Sequence, residues 1–186
     1  MHILGISGSL REKSYNTGLI RTASLLLPED ITFSIASIRD LPLYDGDLDV
    51  DPQPPAVVEF KKHIEQADGV LIATPEYNYS YPGVLKNAID WASRGTTRPF
   101  HDKPVAIVGA SPGNFGAVLA QTDLRRLMYA VSGVVVPRPE LLVNNVHSKV
   151  DGHGIITDEA TLKVYRTLLT NFIDYINHSN LKRGLS

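Results

Sequence analysis

Cysteine is absent from the 186 residues. With it go disulfides, thiolate nucleophiles, CxxC redox pairs and iron–sulfur ligation, so redox chemistry, if any, must be carried by a bound cofactor. Long apolar runs are missing too. No stretch approaches the roughly eighteen consecutive apolar residues of a membrane span, and the first residues enter a strand-like run with no basic region and apolar leader before it. A cytoplasmic location with no membrane partner is therefore expected. Neither sign of charge dominates: 18 Lys and Arg stand against 20 Asp and Glu, a formal net charge of −2. The basic residues are scattered, whereas binding of nucleic acid or an anionic membrane needs them clustered. Neither an internal repeat nor a low-complexity segment occurs. A 43% hydrophobic content over this length suits one well-buried core. The expectation is a single domain spanning 1–186, with the polar end, about 179–186, frayed.

Five short apolar runs alternate with helical patterns. The runs 2–6, 69–73, 105–109 and 134–136 are β-branched and do not alternate with polar residues, as in parallel strands buried on both faces. The run 31–35 does alternate, which argues for a sheet edge. Helices are expected over about 16–27 and 54–66, from Pro82 through Val84, Ala88 and Trp91, along Val118 to Val131, and from a Thr157 or Asp158 cap through Ile176. Strands alternating with helices predict an α/β doubly wound sandwich of three layers, and right-handed crossovers favour the strand order 2-1-3-4-5. In that order the loops after strands one, three and four share one crevice at the switch point, where ligands bind.

Those three loops are the unusual ones. The first, from Ser7 to Asn16, lacks the G-x-G-x-x-G of a dinucleotide fingerprint and the Gly before Lys-Ser of a Walker loop, Glu12 standing there instead. It offers Ser7, Ser9, Ser14 and Asn16 as hydrogen-bonding groups, Arg11 as a cation and a helix N-terminus that attracts an anion, which together suit one terminal phosphate. The second, Thr74-Pro75-Glu76-Tyr77-Asn78-Tyr79-Ser80-Tyr81-Pro82-Gly83, sets three tyrosines beside a glutamate and an asparagine, a mixture suited to a planar ring with polar edges. The third puts Ser111, Gly113 and Gly116 where backbone can approach a ligand closely. A phosphate cradle, an aromatic platform and a glycine-rich wall describe a flavin mononucleotide (FMN) site.

Other features have plainer readings. Asp45, Asp47, Asp49 and Asp51 have the spacing of a calcium loop, but Pro52 and Val58 occupy the positions of its Gly and Glu, leaving a solvated acidic loop. His147, Asp151 and His153 are read as solvated rather than metal-binding. Trp91 continues an apolar helical stripe and is read as packing.

Two stretches, Gly8-Ser9-Leu10-Arg11 with Ser14 and Asn16, and Thr74-Pro75-Glu76-Tyr77-Asn78 continuing through Ser80, Pro82-Gly83 and Leu85-Lys86-Asn87-Ala88-Ile89-Asp90-Trp91, carry a resemblance. Over nearly its whole length the chain resembles the flavodoxin-like NAD(P)H-dependent FMN reductases, which include quinone, azo-dye and chromate reductases. The resemblance implies that Ser9, Arg11, Ser14 and Asn16 hold the FMN phosphate, that Pro75, Glu76, Tyr77 and Asn78 line the isoalloxazine ring, and that Ser111, Gly113 and Gly116 form the third wall. There the family commonly has Gly-Gly and this chain has Gly116-Ala117. The implied reaction passes hydride from NADPH or NADH through FMN to a quinone, azo compound, free flavin or metal oxyanion, with ping-pong kinetics and no catalytic side-chain acid or base. A homodimer or homotetramer is also implied. Two other readings remain at this point. One is a flavodoxin-type electron carrier that does not oxidise nicotinamide, against which stands the lack of a dense acidic face. The other is a non-redox mononucleotide-binding protein, disfavoured by the tyrosines.

Overall fold

The computed structural model of the chain describes residues 1–183. In chain order the elements are β1 (His2–Ser7), α1 (Tyr15–Leu26), β2 (Thr32–Ala36), α2 (Pro55–Gln66), β3 (Gly69–Thr74), α3 (Gly83–Ala92), β4 (Pro104–Ala110), α4 (Val118–Ala130), β5 (Val134–Val135), β6 (Leu141–Val143) and α5 (Glu159–Arg183). The strands pair in parallel in the order β2-β1-β3-β4-β5, as expected. β2 is the edge strand its alternation predicts, with Ile35 52% exposed.

Burial on both faces explains why the central strands do not alternate. Leu4, Ile6, Val70, Ile72, Val105 and Ile107 join Phe60, Leu85, Trp91 and Leu124 in one apolar cluster under α2, α3 and α4. Their neighbours Ile3, Leu71, Ala73, Ala106 and Val108 point the other way, to Leu19, Ile20, Tyr165 and Phe172 under α1 and α5. Period-two side chains serve two apolar layers, so every position is apolar. Trp91 is fully buried and its indole N–H donates to Pro42 O at 2.8 Å, which confirms the packing reading. A buried indole needs such a partner.

Two expectations change. The fifth strand does stop before Pro137, but the chain returns to the sheet as β6, whose Leu141, Leu142 and Val143 pair with Val108, Gly109 and Ala110. Pro137 and Pro139 have no N–H for the ladder, so the strand is split into one piece along the start of β4 and another along its end. At the C-terminus α5 continues to Arg183, past the polar point where fraying is expected; residues 184–186 of that expected tail lie outside the described residues. Asp158 caps α5, its Oδ2 accepting from Thr161 N at 2.8 Å and Thr161 Oγ1 at 2.6 Å. Among the described residues no helix is long and apolar enough to cross a membrane.

The register sets the strand ends level: Ser7 lies beside Ala73, and Thr74 beside Gly109. The loops after β1, β3 and β4 therefore leave one edge of the sheet side by side.

Candidate functional site: three loops at one sheet edge

The first loop is wound tightly at the head of α1. Ser14 is the N-cap residue, and its Oγ accepts from Asn16 N at 3.2 Å. Ser9 Oγ likewise accepts from Arg11 N at 3.3 Å, and Ser7 Oγ and Thr17 Oγ1 are 2.8 Å apart. Ser9 and Ser14 are nearly buried and Arg11 is exposed. The side chain of Asn16, expected to hold a phosphate, is engaged within the protein. Its Nδ2 donates to Ala110 O at 3.1 Å while its Oδ1 accepts from Ala110 N at 2.9 Å, joining α1 to the last residue of β4.

The second loop turns back on itself. Tyr77 and Ser80 exchange backbone hydrogen bonds of 2.9 and 3.2 Å, and the two residues between them, Asn78 and Tyr79, have φ of 51° and 67°. Positive φ at both central positions is the type I′ pattern, strained for a tyrosine by about 1–2 kcal/mol. Two side-chain contacts to α4 hold this turn. Ser80 Oγ donates to Asp123 Oδ2 at 2.8 Å. Glu76 Oε2 accepts from Leu119 N at 2.9 Å and Ala120 N at 3.1 Å. The α4 N-cap position is Ala117, which has no side chain able to cap, so Glu76 supplies the missing acceptor from another loop. Pro75 is buried beneath the turn, while Tyr77, Asn78 and Tyr79 are exposed and Tyr81 is half-buried against the core.

The third loop leans on β6 and the residues after it. Ser111 N donates to Val143 O at 3.0 Å, Val146 N to Ser111 O at 3.2 Å and Asn145 N to Gly113 O at 3.0 Å. Ser111 Oγ lies 3.3 Å from Gly113 O as donor. The two expected glycines differ. A Cβ on Gly113 would meet nothing within 4 Å, whereas one on Gly116, at φ +58°, would come within 2.5 Å of Leu142 C. The close approach at Gly116 is thus to the protein's own backbone.

Two nearly buried hydroxyls, a guanidinium and the N-terminus of a twelve-residue helix form a donor set suited to a phosphate. Beside it, an exposed tyrosine turn and the unfilled space at Gly113 leave room for a flat ring. The residues fit FMN.

Comparison with known proteins decides the family. A family model described as NADPH-dependent FMN reductase matches residues 1–148. The chain belongs to the NADPH-dependent FMN reductase family. It is 45% identical over 157 residues to the NAD(P)H-dependent FMN reductase of Pseudomonas aeruginosa, covering 84% of this chain and 85% of the relative. To the quinone reductase of Escherichia coli it is 40% identical over 179 residues, 95% of each chain. Among solved structures, the flavoenzyme FerB of Paracoccus denitrificans, an NAD(P)H:(acceptor) oxidoreductase, superposes with a TM-score of 0.88 at 38% identity, covering 96% of this chain and 98% of that one. The chain is an oxidoreductase of this FMN reductase and quinone reductase type with a flavodoxin-like fold, a family whose cofactor is FMN and whose donor is NAD(P)H.

Three further residues fix these loops from a distance and have no local sequence signal. Asp123 is the partner of Ser80. Asn144 and Asn145 donate to Asn114 O and Oδ1 at 3.3 Å each. The apolar triplet Leu141-Leu142-Val143 after two prolines was the available sign that the chain returns to the sheet.

Proposed function

We propose that the protein takes hydride from NADPH or NADH onto bound FMN and passes it to a quinone-type acceptor, donor and acceptor visiting one crevice in turn. The observation that carries this is the meeting, at one sheet edge, of the capped α1 N-terminus with the exposed tyrosine turn. Azo compounds, free flavin and metal oxyanions are further acceptors, joined to quinones only in being reducible by a reduced flavin.

Ser9, Arg11 and Ser14 would hold the phosphate; Pro75, Tyr77 and Asn78 would line the ring; Ser111 and Gly113 would form the opposite wall. Asn16, Glu76 and Gly116 serve the same site one step back, by fixing the loops that carry those contacts. The bound flavin supplies the hydride chemistry. The chain's own work is orientation: a reacting pair held at about 3–3.5 Å in the right geometry gains most of what proximity can give. Rigid mounting of the second loop on α4, through Glu76 and Ser80, supports that role. No side chain is required as acid or base, and ping-pong kinetics follow from a shared crevice.

Residues 1–186 are read as one folding unit, because both apolar clusters are built on one sheet. A homodimer or homotetramer is supported by the exposed Tyr77, Tyr79, Phe115 and Leu119, which lie on or next to the second and third loops and would be covered by a second copy.

The test is anaerobic stopped-flow mixing of the FMN-loaded protein with NADPH or NADH. Fast bleaching of the flavin absorbance is expected, followed by reoxidation on adding a quinone. Bleaching by dithionite but by neither nucleotide would replace the reductase reading with that of an electron carrier.

A further inference from the structure

A cleft of about 890 Å³ lies between α2, the acidic loop before it and the residues that follow α3. Its volume falls within the roughly 300–1,000 Å³ of small-molecule sites. None of its lining comes from the three loops of the flavin site. α3 leaves the second of those loops at Gly83 and runs for ten residues, about 15 Å at 1.5 Å per residue. Gly95, Thr96 and Thr97 of the cleft lie beyond its other end, so this wall and the flavin site are separated by the length of α3.

Lys61 lines the cleft and is only 5% exposed. Its Nζ donates to Arg94 O at 2.7 Å and to Gln53 Oε1 at 3.1 Å. Both acceptors are neutral, whereas an ammonium carries a full charge and three N–H donors. Among the described residues no carboxylate forms an ion pair with it. A buried charge without a counter-ion in contact is costly, and one donor is left to meet an anion. Burial accordingly lowers the amine's pKa from its ordinary 10.5, by more than the charges of Glu65 and Asp49 raise it. The approach to this nitrogen is open at Gly95, where a Cβ would stand 3.3 Å from Nζ.

The carboxylates of the cleft are engaged or face water. Asp49 Oδ1 accepts from Gln53 Nε2 at 2.6 Å and its Oδ2 from Tyr44 OH at 3.4 Å. Asp51 and Glu65 are exposed, as is Lys62, and exposed charges are screened. Lys61 and Lys62 thus stand against three acids, a balance that admits one negative charge on Lys61 and repels a group carrying two. Val50 and Val58, exposed by 60% and 49%, add apolar surface beside Pro52.

We propose that this cleft binds a small monocarboxylate with an apolar body. The carboxylate accepts from Lys61 Nζ, the hydroxyls of Thr96 and Thr97 serve its second oxygen, and the body lies on Val50, Pro52 and Val58. The charge-assisted contact gives affinity, and the surrounding acids exclude phosphates.

Phenylacetate is a suitable probe, with phenylacetamide and phenyl phosphate as its neutral and doubly charged counterparts. Each is titrated calorimetrically into the FMN-loaded protein while the flavin absorbance is recorded. Phenylacetate is expected to bind about tenfold tighter than either counterpart and to leave the flavin spectrum unchanged. Lys61→Met, which keeps the length of the side chain and removes its charge, is expected to weaken phenylacetate binding by about tenfold or more, the loss of one charge-assisted contact. Val58→Glu keeps Lys61 and changes a half-exposed position, so it tests the site even if Lys61→Met does not fold. At i,i+3 its carboxylate reaches the ammonium and takes the place of the ligand, with the same loss expected. Undiminished phenylacetate affinity in either folded variant overturns the assignment. So does an amide or phosphate that binds as tightly as the carboxylate, or a flavin spectrum that shifts with phenylacetate, which would put the probe on the ring instead.

Discussion

Asn16 and Ala110 hold each other at two points: the side-chain amide of one donates to the carbonyl of the other at 3.1 Å and accepts from its N–H at 2.9 Å. Asn16 is only 3% exposed. The pair acts as a strut between the head of α1 and the end of β4, the two elements from which the phosphate loop and the glycine wall depart. Removing it leaves a buried backbone N–H and C=O without partners, each a loss of about 1–3 kcal/mol. Asn16→Ala is expected to lower folding stability by about 2–4 kcal/mol in urea titration and to weaken FMN binding as the loops separate. An unchanged unfolding midpoint would contradict the strut.

Acid should loosen α5 through its cap. The hydroxyl and then the N–H of Thr161 hold Asp158 below its ordinary pKa of 3.8. A carboxylate depressed in the folded state contributes fully above the unfolded pKa and loses that contribution as pH falls through the lower folded value. The wild type is therefore expected to lose stability below about pH 4, and Asp158→Asn, which keeps a capping oxygen without titrating, to show a smaller difference between about pH 6 and pH 3. Urea midpoints at the two pH values measure this; equal differences in both proteins would remove Asp158 from the acid response.

What could be read from the sequence was whatever a local pattern carries. Strands β1, β3 and β4 announce themselves because both faces are apolar, and their order follows from chain topology, so the convergence of the three loops was foreseeable. The cap of the last helix reads as Thr157 or Asp158 because a cap and the groups it satisfies are neighbours in sequence. The remaining contacts join distant residues. The amide of Asn16 bonds a residue 94 positions away, and Glu76 bonds N–H groups 43 and 44 positions away. Nothing beside either residue shows where its side chain turns, so both were expected to face a ligand. β6 escaped for a different reason: it is three residues long and follows two prolines, which locally spell the end of a strand.

Separate mutations should distinguish the two tethers of the aromatic turn. Glu76→Ala removes the acceptor of two α4 N–H groups and is expected to lower stability by about 1–2 kcal/mol, as loss of a cap does. It should also weaken FMN binding, followed by quenching of flavin fluorescence. Asp123→Ala frees Ser80 while leaving the head of α4 intact, so stability should move by no more than about 0.5 kcal/mol while KM for the acceptor rises. If Asp123→Ala changed neither KM nor flavin affinity, the turn would not depend on that tether.

The two glycines of the third loop give the sharpest contrast. Gly116 sits at φ +58°, and a Cβ there would meet the backbone of Leu142 at 2.5 Å, in the segment where β6 braces the loop. Neither backbone can yield without breaking the β4–β6 ladder. Gly116→Ala is expected to cost about 2 kcal/mol or more, from the left-handed conformation and the overlap together. Gly113 faces open space, with no atom within 4 Å of a built Cβ. Gly113→Ala should leave the unfolding midpoint unchanged and reduce flavin affinity alone, because the added methyl occupies the space proposed for the ring. Paired urea and fluorescence titrations of the two variants decide the matter. A Gly113→Ala protein that bound FMN as tightly as the wild type would move the ring away from this wall, while Gly116→Ala would still report on the fold.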